Sequence, residues 1–337
     1  MKFLSILKKL CSLPYIYFSL WKDVRKQKSY LDNFIPELLK KIDLKSDGTV
    51  DAEDLKKINS YYGLGVPAIL GESFCTLRGY KMSNDERECS TLSGSLTGLF
   101  DDLFDKNKTD NKLIEQLLYS PDSFNPINDN QKLSLEIYKL FLNKLVNKDL
   151  SRKFINEIFK VQLDSIKQEK ISITNEEIID ITYRKGGYSV LFFRSVYQHN
   201  LDKVEYDAFY QLGALMQLGN DIFDVYKDSQ TGINTLVTRT EDIKVLRNHF
   251  IKEHIKTNNF LINLNFPSRN KTIFLNKVNL ALSRCYVCLD QFERLQNNSN
   301  NEFKIPHYTR KDLICDMEKP SNIIKSLMYY INNNKLI

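Results

Sequence analysis

Gly94-Ser95-Leu96-Thr97-Gly98-Leu99-Phe100-Asp101-Asp102-Leu103-Phe104-Asp105 carries the pattern that decides the fold. Its apolar positions return every three to four residues, so the segment is expected to be helical. At about 100° per residue Asp101, Asp102 and Asp105 share one face, while Leu99 and Leu103 point away from it. Three carboxylates at a helix C-terminus oppose the helix dipole, which favours cations there, so a bound cation would relieve them. Gly94 and Gly98 continue that face inward with no side-chain bulk, and the expectation is that it borders a cavity. Taken alone, the same residues also describe an ordinary solvated helix end.

A second stretch changes that balance. In Gln217-Leu-Gly-Asn220-Asp221-Ile-Phe-Asp224-Val-Tyr-Lys-Asp228, the oxygen-bearing Asn220, Asp224 and Asp228 recur four residues apart, with Asp221 beside them. They stack along one helical face, and Leu218, Ile222 and Val225 form the core stripe opposite. Gln217 and Gly213 extend the polar face with little bulk. Two faces of hard oxygen donors suit magnesium, which is commonly held by one or two carboxylates together with substrate phosphate oxygens. Between them lies Tyr183-Arg184-Lys185-Gly186-Gly187-Tyr188-Ser189. Its two cations suit an anion, and its glycine pair predicts a kink bringing backbone close to a ligand.

The rest of the chain agrees with an all-α fold. Only 12 Gly and 8 Pro interrupt 337 residues, and helical spacing dominates, which argues against a sandwich or an alternating α/β fold. Helical patterns are read over 15–42, 51–80, 84–105, 110–120, 129–147, 150–169, 175–198, 203–228, 240–258, 269–296 and 310–333. No repeat or linker divides them, so one domain over 1–337 is expected, with 1–40 an N-terminal helical segment packing on the bundle.

The charge of +6 comes from scattered lysines rather than a basic tract, which excludes a nucleic-acid partner as a working reading. The six cysteines form no disulfide framework, so a reducing, cytoplasmic setting is expected, and Cys285 and Cys288 read as a buried helical face. The N-terminal apolar residues are split by Lys8 and Lys9 and lack a cleavage site. No apolar run reaches the roughly 18 residues needed to cross a bilayer. An amphipathic helix that packs on the domain or touches a membrane surface fits better. Asp43 to Asp54 resembles a calcium loop, but Lys45 stands where an oxygen ligand belongs, and a helix-joining turn with Asp51 near the next N-terminus is the preferred reading.

With these motifs in hand, residues 70–330 resemble the class I isoprenoid (terpene) synthase superfamily, which includes trans-prenyltransferases, squalene and phytoene synthases, and terpene cyclases. Asp101-Asp-Leu-Phe-Asp105 looks like the first aspartate-rich motif. Asn220 through Asp228 looks like the second, and also like the cyclase metal triad with Asp224 and Asp228 in place of Ser and Glu. Lys185-Gly-Gly-Tyr-Ser is similar to a diphosphate-binding segment of prenyltransferases. The resemblance implies a helical bundle around a central active-site cavity, a linear isoprenyl diphosphate substrate, three Mg2+ ions and a homodimer. It implies Asp101, Asp102, Asp105, Asn220, Asp221, Asp224 and Asp228 as metal ligands, with Arg184 and Lys185 acting on the diphosphate alongside Asp101 and Asp102.

Further substrate contacts are expected from Arg78, Tyr188, Phe100, Gln217, Tyr308 and Arg310, with Phe74, Tyr80 and Phe192 as additional pocket liners. His307 to Lys311 would supply a lid, with Arg310 completing the anion clamp on closure. The Gly-Gly-Lys and Arg-Arg-Gly elements that hold isopentenyl diphosphate in elongating enzymes are missing from the sequence. The resemblance therefore tilts toward a single-substrate terpene synthase that cyclises or eliminates. A prenyltransferase, whether elongating or condensing as squalene synthase does, is the alternative, followed by a non-catalytic diphosphate-binding protein.

Overall fold

The computed structural model describes residues 2–105 and 109–332, and side chains at 6–104 and 109–332. Among the described residues there is no strand, and the chain is all-α. The helices are α1 (Lys2–Ile42), α2 (Ala52–Lys56), α3 (Tyr62–Gly65), α4 (Glu72–Arg78), α5 (Asn84–Asp105), α6 (Asn111–Tyr119), α7 (Asp129–Lys144) and α8 (Lys148–Ser165). They continue with α9 (Asn175–Ser195), α10 (Lys203–Phe223), α11 (Val225–Thr231), α12 (Leu236–Arg239), α13 (Ile243–Ile262), α14 (Ser268–Asn297), α15 (Arg310–Leu313) and α16 (Pro320–Asn332). Wide-turn π segments, Lys57–Tyr61 and Val66–Gly71, stand between α2 and α4.

The chain forms two compact units. One comprises Tyr17–Ser151 with Phe192–His199; the other comprises Met1–Ile16, Arg152–Leu191 and Asn200–Ile337.

In the first unit α5 is the central element. Ser83 and Glu86 open it with a capping box, each side chain taking the other's backbone N–H, at 3.2 and 2.9 Å. Leu92, Leu96, Leu99 and Leu103 are buried along its core face, and α5 packs closely on α7. Gln27 of α1 donates to the Gly63 carbonyl and to Thr91, and receives a hydrogen bond from Arg87, tying α1, α3 and α5 together. The segment resembling a calcium loop is instead a fastened turn. Asp129 accepts the Lys45 and Asp47 amides at 2.9 and 3.1 Å, and Asp51 caps α2 in a box with Asp54.

In the second unit, α10 packs on α13 and α14. Leu218, Ile222 and Val225 are fully buried in a cluster with Phe250, Tyr286, Leu289 and Phe292, as the core stripe requires. Asp202 caps α10, and Thr174 with Glu177 forms the capping box of α9. Cys285 and Cys288 are buried on α14, and all six cysteines are free thiols.

Two expectations about glycine are overturned. The helix α9 runs unbroken through Gly186 and Gly187. A Cβ at Gly186 would strike the Gly213 carbonyl, one at Gly213 would strike Gly186 in return, and one at Gly187 would meet the Tyr210 ring. These glycines let α9 and α10 approach backbone to backbone, so they serve helix packing rather than a kink or a ligand. Gly94 and Gly98 likewise border no cavity, since a Cβ there would meet the Tyr62 carbonyl at 2.5 Å and the Tyr62 ring at 3.0 Å. Small residues on α5 instead admit the segment around α3 at close range.

Candidate functional site

The acidic motif of α10 and α11 is built where the helix changes course. α10 ends at Phe223, Asp224 adopts φ −90° and ψ 6°, and α11 begins at Val225. The residues flanking the break are held by their own core stripe, so the oxygen donors follow one another along the opposite side. Asp221 is buried and doubly held, accepting from Thr182 at 3.2 Å and from Gln217 at 3.0 Å. Asn220 is exposed and donates to Asp224 at 3.0 Å.

Electrostatics couple the members of this group. Burial pushes the Asp221 carboxyl up to about 6, against the opposing pull of Gln217 and the nearby Lys185. Burial pushes Asp228 up to about 7, helped by the charges of Asp221 and Asp224 and opposed by Lys227 and Lys185. Three carboxylates close enough to repel one another, with one lysine in range of two of them, make a region where positive charge is wanted. That charge environment and the all-oxygen donor set fit a magnesium ion shared with phosphate. Among the described residues, however, no three His, Cys, Asp or Glu side chains gather tightly enough to enclose a metal by themselves. Any ion here would need water or substrate oxygens to complete its shell.

The α5 motif has a different environment. Asp102 is only 4% exposed and forms an ion pair with Lys57. Burial raises its carboxyl, Lys57 pulls it down, and Asp54 pushes it back up. Asp101 is half-buried and accepts a long hydrogen bond, 3.5 Å, from the Tyr62 hydroxyl. The side chain of Asp105 lies outside the described residues. Sequence spacing offered no signal for Lys57 or Asp54, because they come from a short helix and a π segment far upstream whose register no simple period predicts. Thr182 was missed for the same reason: its role follows from the Gly186–Gly213 approach that brings α9 onto α10.

The remaining candidates divide clearly. Arg184 is held by Asp164 at 2.9 Å and Asp180 at 2.7 Å, so its guanidinium is already engaged within the protein. Arg78 forms a buried ion pair with Glu86 at 2.6 Å and lies over the Tyr197 ring. Phe100 packs edge-on against Tyr138, Phe74 against Tyr197, and Phe192 against Phe141. Tyr80 is exposed. Tyr188 is half-buried and meets Tyr210 edge-on at 5.4 Å. Tyr308 lines a cavity of about 420 Å³ with Tyr226, Ser229, Asn234 and Thr238, so it borders open space next to α11, while Arg310 is an exposed residue at the start of α15.

No protein-family model and no curated protein matches the chain. Among solved structures, the chain is similar to the crystal structure of a dehydrosqualene synthase in complex with ligand, with 14% identity, 94% of this chain and 100% of that chain covered, and a TM-score of 0.45.

Proposed function

We propose that this chain is a class I isoprenoid synthase that ionises a single linear allylic diphosphate in the presence of magnesium. The observation that carries the proposal is the run of mutually repelling carboxylates Asp221, Asp224 and Asp228 within the field of Lys185. Such a run is costly to maintain without a cationic ligand. Asn220, Asp224 and Asp228 would hold magnesium, as would Asp101 and Asp102, and the ion would supply a Lewis acid offsetting charge on the departing diphosphate.

The protein's own groups have distinct tasks in this reading. Thr182 and Gln217 hold Asp221 in one rotamer, so the adjacent donors are oriented before substrate arrives. Lys185 contributes a fixed positive charge for the diphosphate. Lys57 balances the charge of the buried Asp102, a partner that the sequence pattern did not reveal. Arg78, already neutralised by Glu86, is poorly disposed toward a second diphosphate, which favours a single-substrate synthase over an elongating enzyme.

The test is incubation with labelled geranyl, farnesyl or geranylgeranyl diphosphate, with and without magnesium and isopentenyl diphosphate. A terpene hydrocarbon or alcohol formed with magnesium and one substrate is expected. Asp224→Asn should lower pyrophosphate release by roughly 100-fold or more, the scale for losing one group that stabilises developing charge, with helical circular dichroism unchanged. A longer diphosphate made only with isopentenyl diphosphate would reassign the chain to elongation. A condensed hydrocarbon retaining both chains would reassign it to head-to-head coupling, and diphosphate binding without turnover would leave it a binding protein.

A further inference from the structure

The helix α1 carries a surface that the proposed reaction does not use. Along its middle, Ile16, Gln27 and Leu31 are buried, which fixes the inward face. At about 100° per residue, Tyr17, Phe18, Trp21, Lys22, Arg25 and Lys28 fall within an arc of roughly 140° on the other side. Three of these are large aromatics left in solvent: Phe18 is 62% exposed, Trp21 53% and Tyr17 48%. Phe18 stacks on Trp21 with ring centroids 5.8 Å apart, and the Arg25 guanidinium lies 4.8 Å over the Trp21 ring.

Exposed aromatics in sequence with cations are costly in water and call for an occupant. The charge pattern says which kind. Between positions 22 and 28 stand Lys22, Arg25, Lys26 and Lys28 against Asp23 alone. Lys26 is within 3.6 Å of Glu72 but remains half exposed. Aromatic rings flanked by Lys and Arg on one face of a helix match the boundary between lipid headgroups and acyl chains, where rings sit at the boundary and cations meet phosphate. No helix of the described residues is long and apolar enough to cross a membrane, so such contact would lie along the surface.

We infer that the exposed face of α1 from Tyr17 to Lys28 docks on an anionic phospholipid surface, with Phe18 and Trp21 entering the interface and Lys22, Arg25 and Lys28 binding headgroup phosphates. The inference stands apart from the catalytic proposal, and either can fail alone.

Trp21 is the single tryptophan of the chain, so its emission reports on this face without labelling. The full-length protein is mixed with phosphatidylcholine vesicles containing about 30% phosphatidylserine, or none, and read by tryptophan fluorescence and co-sedimentation. Anionic vesicles are expected to shift emission to the blue, to allow quenching by acyl-chain bromine, and to carry the protein into the pellet. High salt should reverse these effects, and pure phosphatidylcholine should produce little of any of them. Lys22→Glu with Lys28→Glu should weaken sedimentation at least tenfold while leaving circular dichroism unchanged, because both side chains are exposed. Unchanged emission with protein left in the supernatant would overturn the inference. So would a blue shift that grows with protein concentration in the absence of lipid, since a second copy of the chain would then cover this face.

Discussion

At the scale of single residues, the chain separates polar groups that are finished from those that are left wanting. His254 belongs to the first kind. Its ring donates from Nε2 to Asn279 Oδ1 at 2.6 Å and accepts at Nδ1 from the Tyr286 hydroxyl at 2.9 Å, which fixes one neutral tautomer. Burial pushes the imidazole down to about 4 from an ordinary 6.5. The folded state therefore binds fewer protons than the unfolded chain across that window, and stability must fall as pH drops from 6.5 to 4. A shift of this size is worth at most roughly 3 kcal/mol. Urea unfolding at pH 7, 5.5 and 4.5 should show the native protein losing stability relative to His254→Gln as acid is added. A difference independent of pH would mean that the ring is solvated in the native state. Asp221 and Asp228 are the opposite case, since their carboxyls are raised by burial and mutual charge, with Lys185 offering only partial relief. The sequence exposed both acids through their spacing, but it gave no hint that Arg184, read as an anion clamp, would be spent on Asp164 and Asp180. An arginine's partner depends on which helix lies beside it, and that is a tertiary fact.

At the scale of elements, the close approach of α9 and α10 decides how the candidate site is assembled. Alanine in place of Gly213 would gain about 1 kcal/mol of helix propensity, but its Cβ would collide with the Gly186 backbone, which cannot yield as a flexible side chain does. Overpacking of this kind costs about 1–3 kcal/mol or more, so Gly213→Ala should lower stability by roughly 2 kcal/mol. Gly65 is the control: its φ of −68° is helical and nothing stands within 4 Å of its would-be Cβ, so Gly65→Ala should raise stability slightly. A higher urea midpoint for Gly213→Ala would show that α9 and α10 are not in backbone contact. The example also marks what sequence could and could not convey about elements. The spans 84–105, 129–147 and 175–198 agree with the helices to within a few residues, because an unbroken apolar stripe runs through each. The single span 51–80 proved to be three helices joined by π turns, and 310–333 proved to be two separated by residues 314–319, with Pro320 opening the second. Helix α1 reaches back to Lys2 despite Pro14. A glycine reads the same whether it opens a cavity, kinks a helix or admits a neighbour, so Gly94, Gly98, Gly186 and Gly187 were legible as important and illegible as to purpose.

At the scale of the molecule, the proposed function requires Asp101 and Asp102 to act on the same diphosphate as Asp224 and Asp228. Spacing along a chain cannot reveal such cooperation, but linkage can. A ligand that binds only the native state raises the melting temperature in proportion to the logarithm of its concentration over its dissociation constant. With magnesium and a non-hydrolysable allylic diphosphate analogue, the native protein should melt several degrees higher, a shift on the order of 1–2 °C per kcal/mol of binding for a chain of 337 residues. Asp102→Asn and Asp224→Asn should each erase most of that shift, and the double variant should do no worse than either single one, because groups that share one ligand are not independent. Melting temperatures without ligand must be subtracted for every variant, since Asp102 also supports Lys57 and its loss alters stability directly. Additive losses, or a shift that survives Asp102→Asn intact, would place the two acidic motifs at separate tasks. The proposal would then contract to the α10–α11 carboxylates and Lys185 alone.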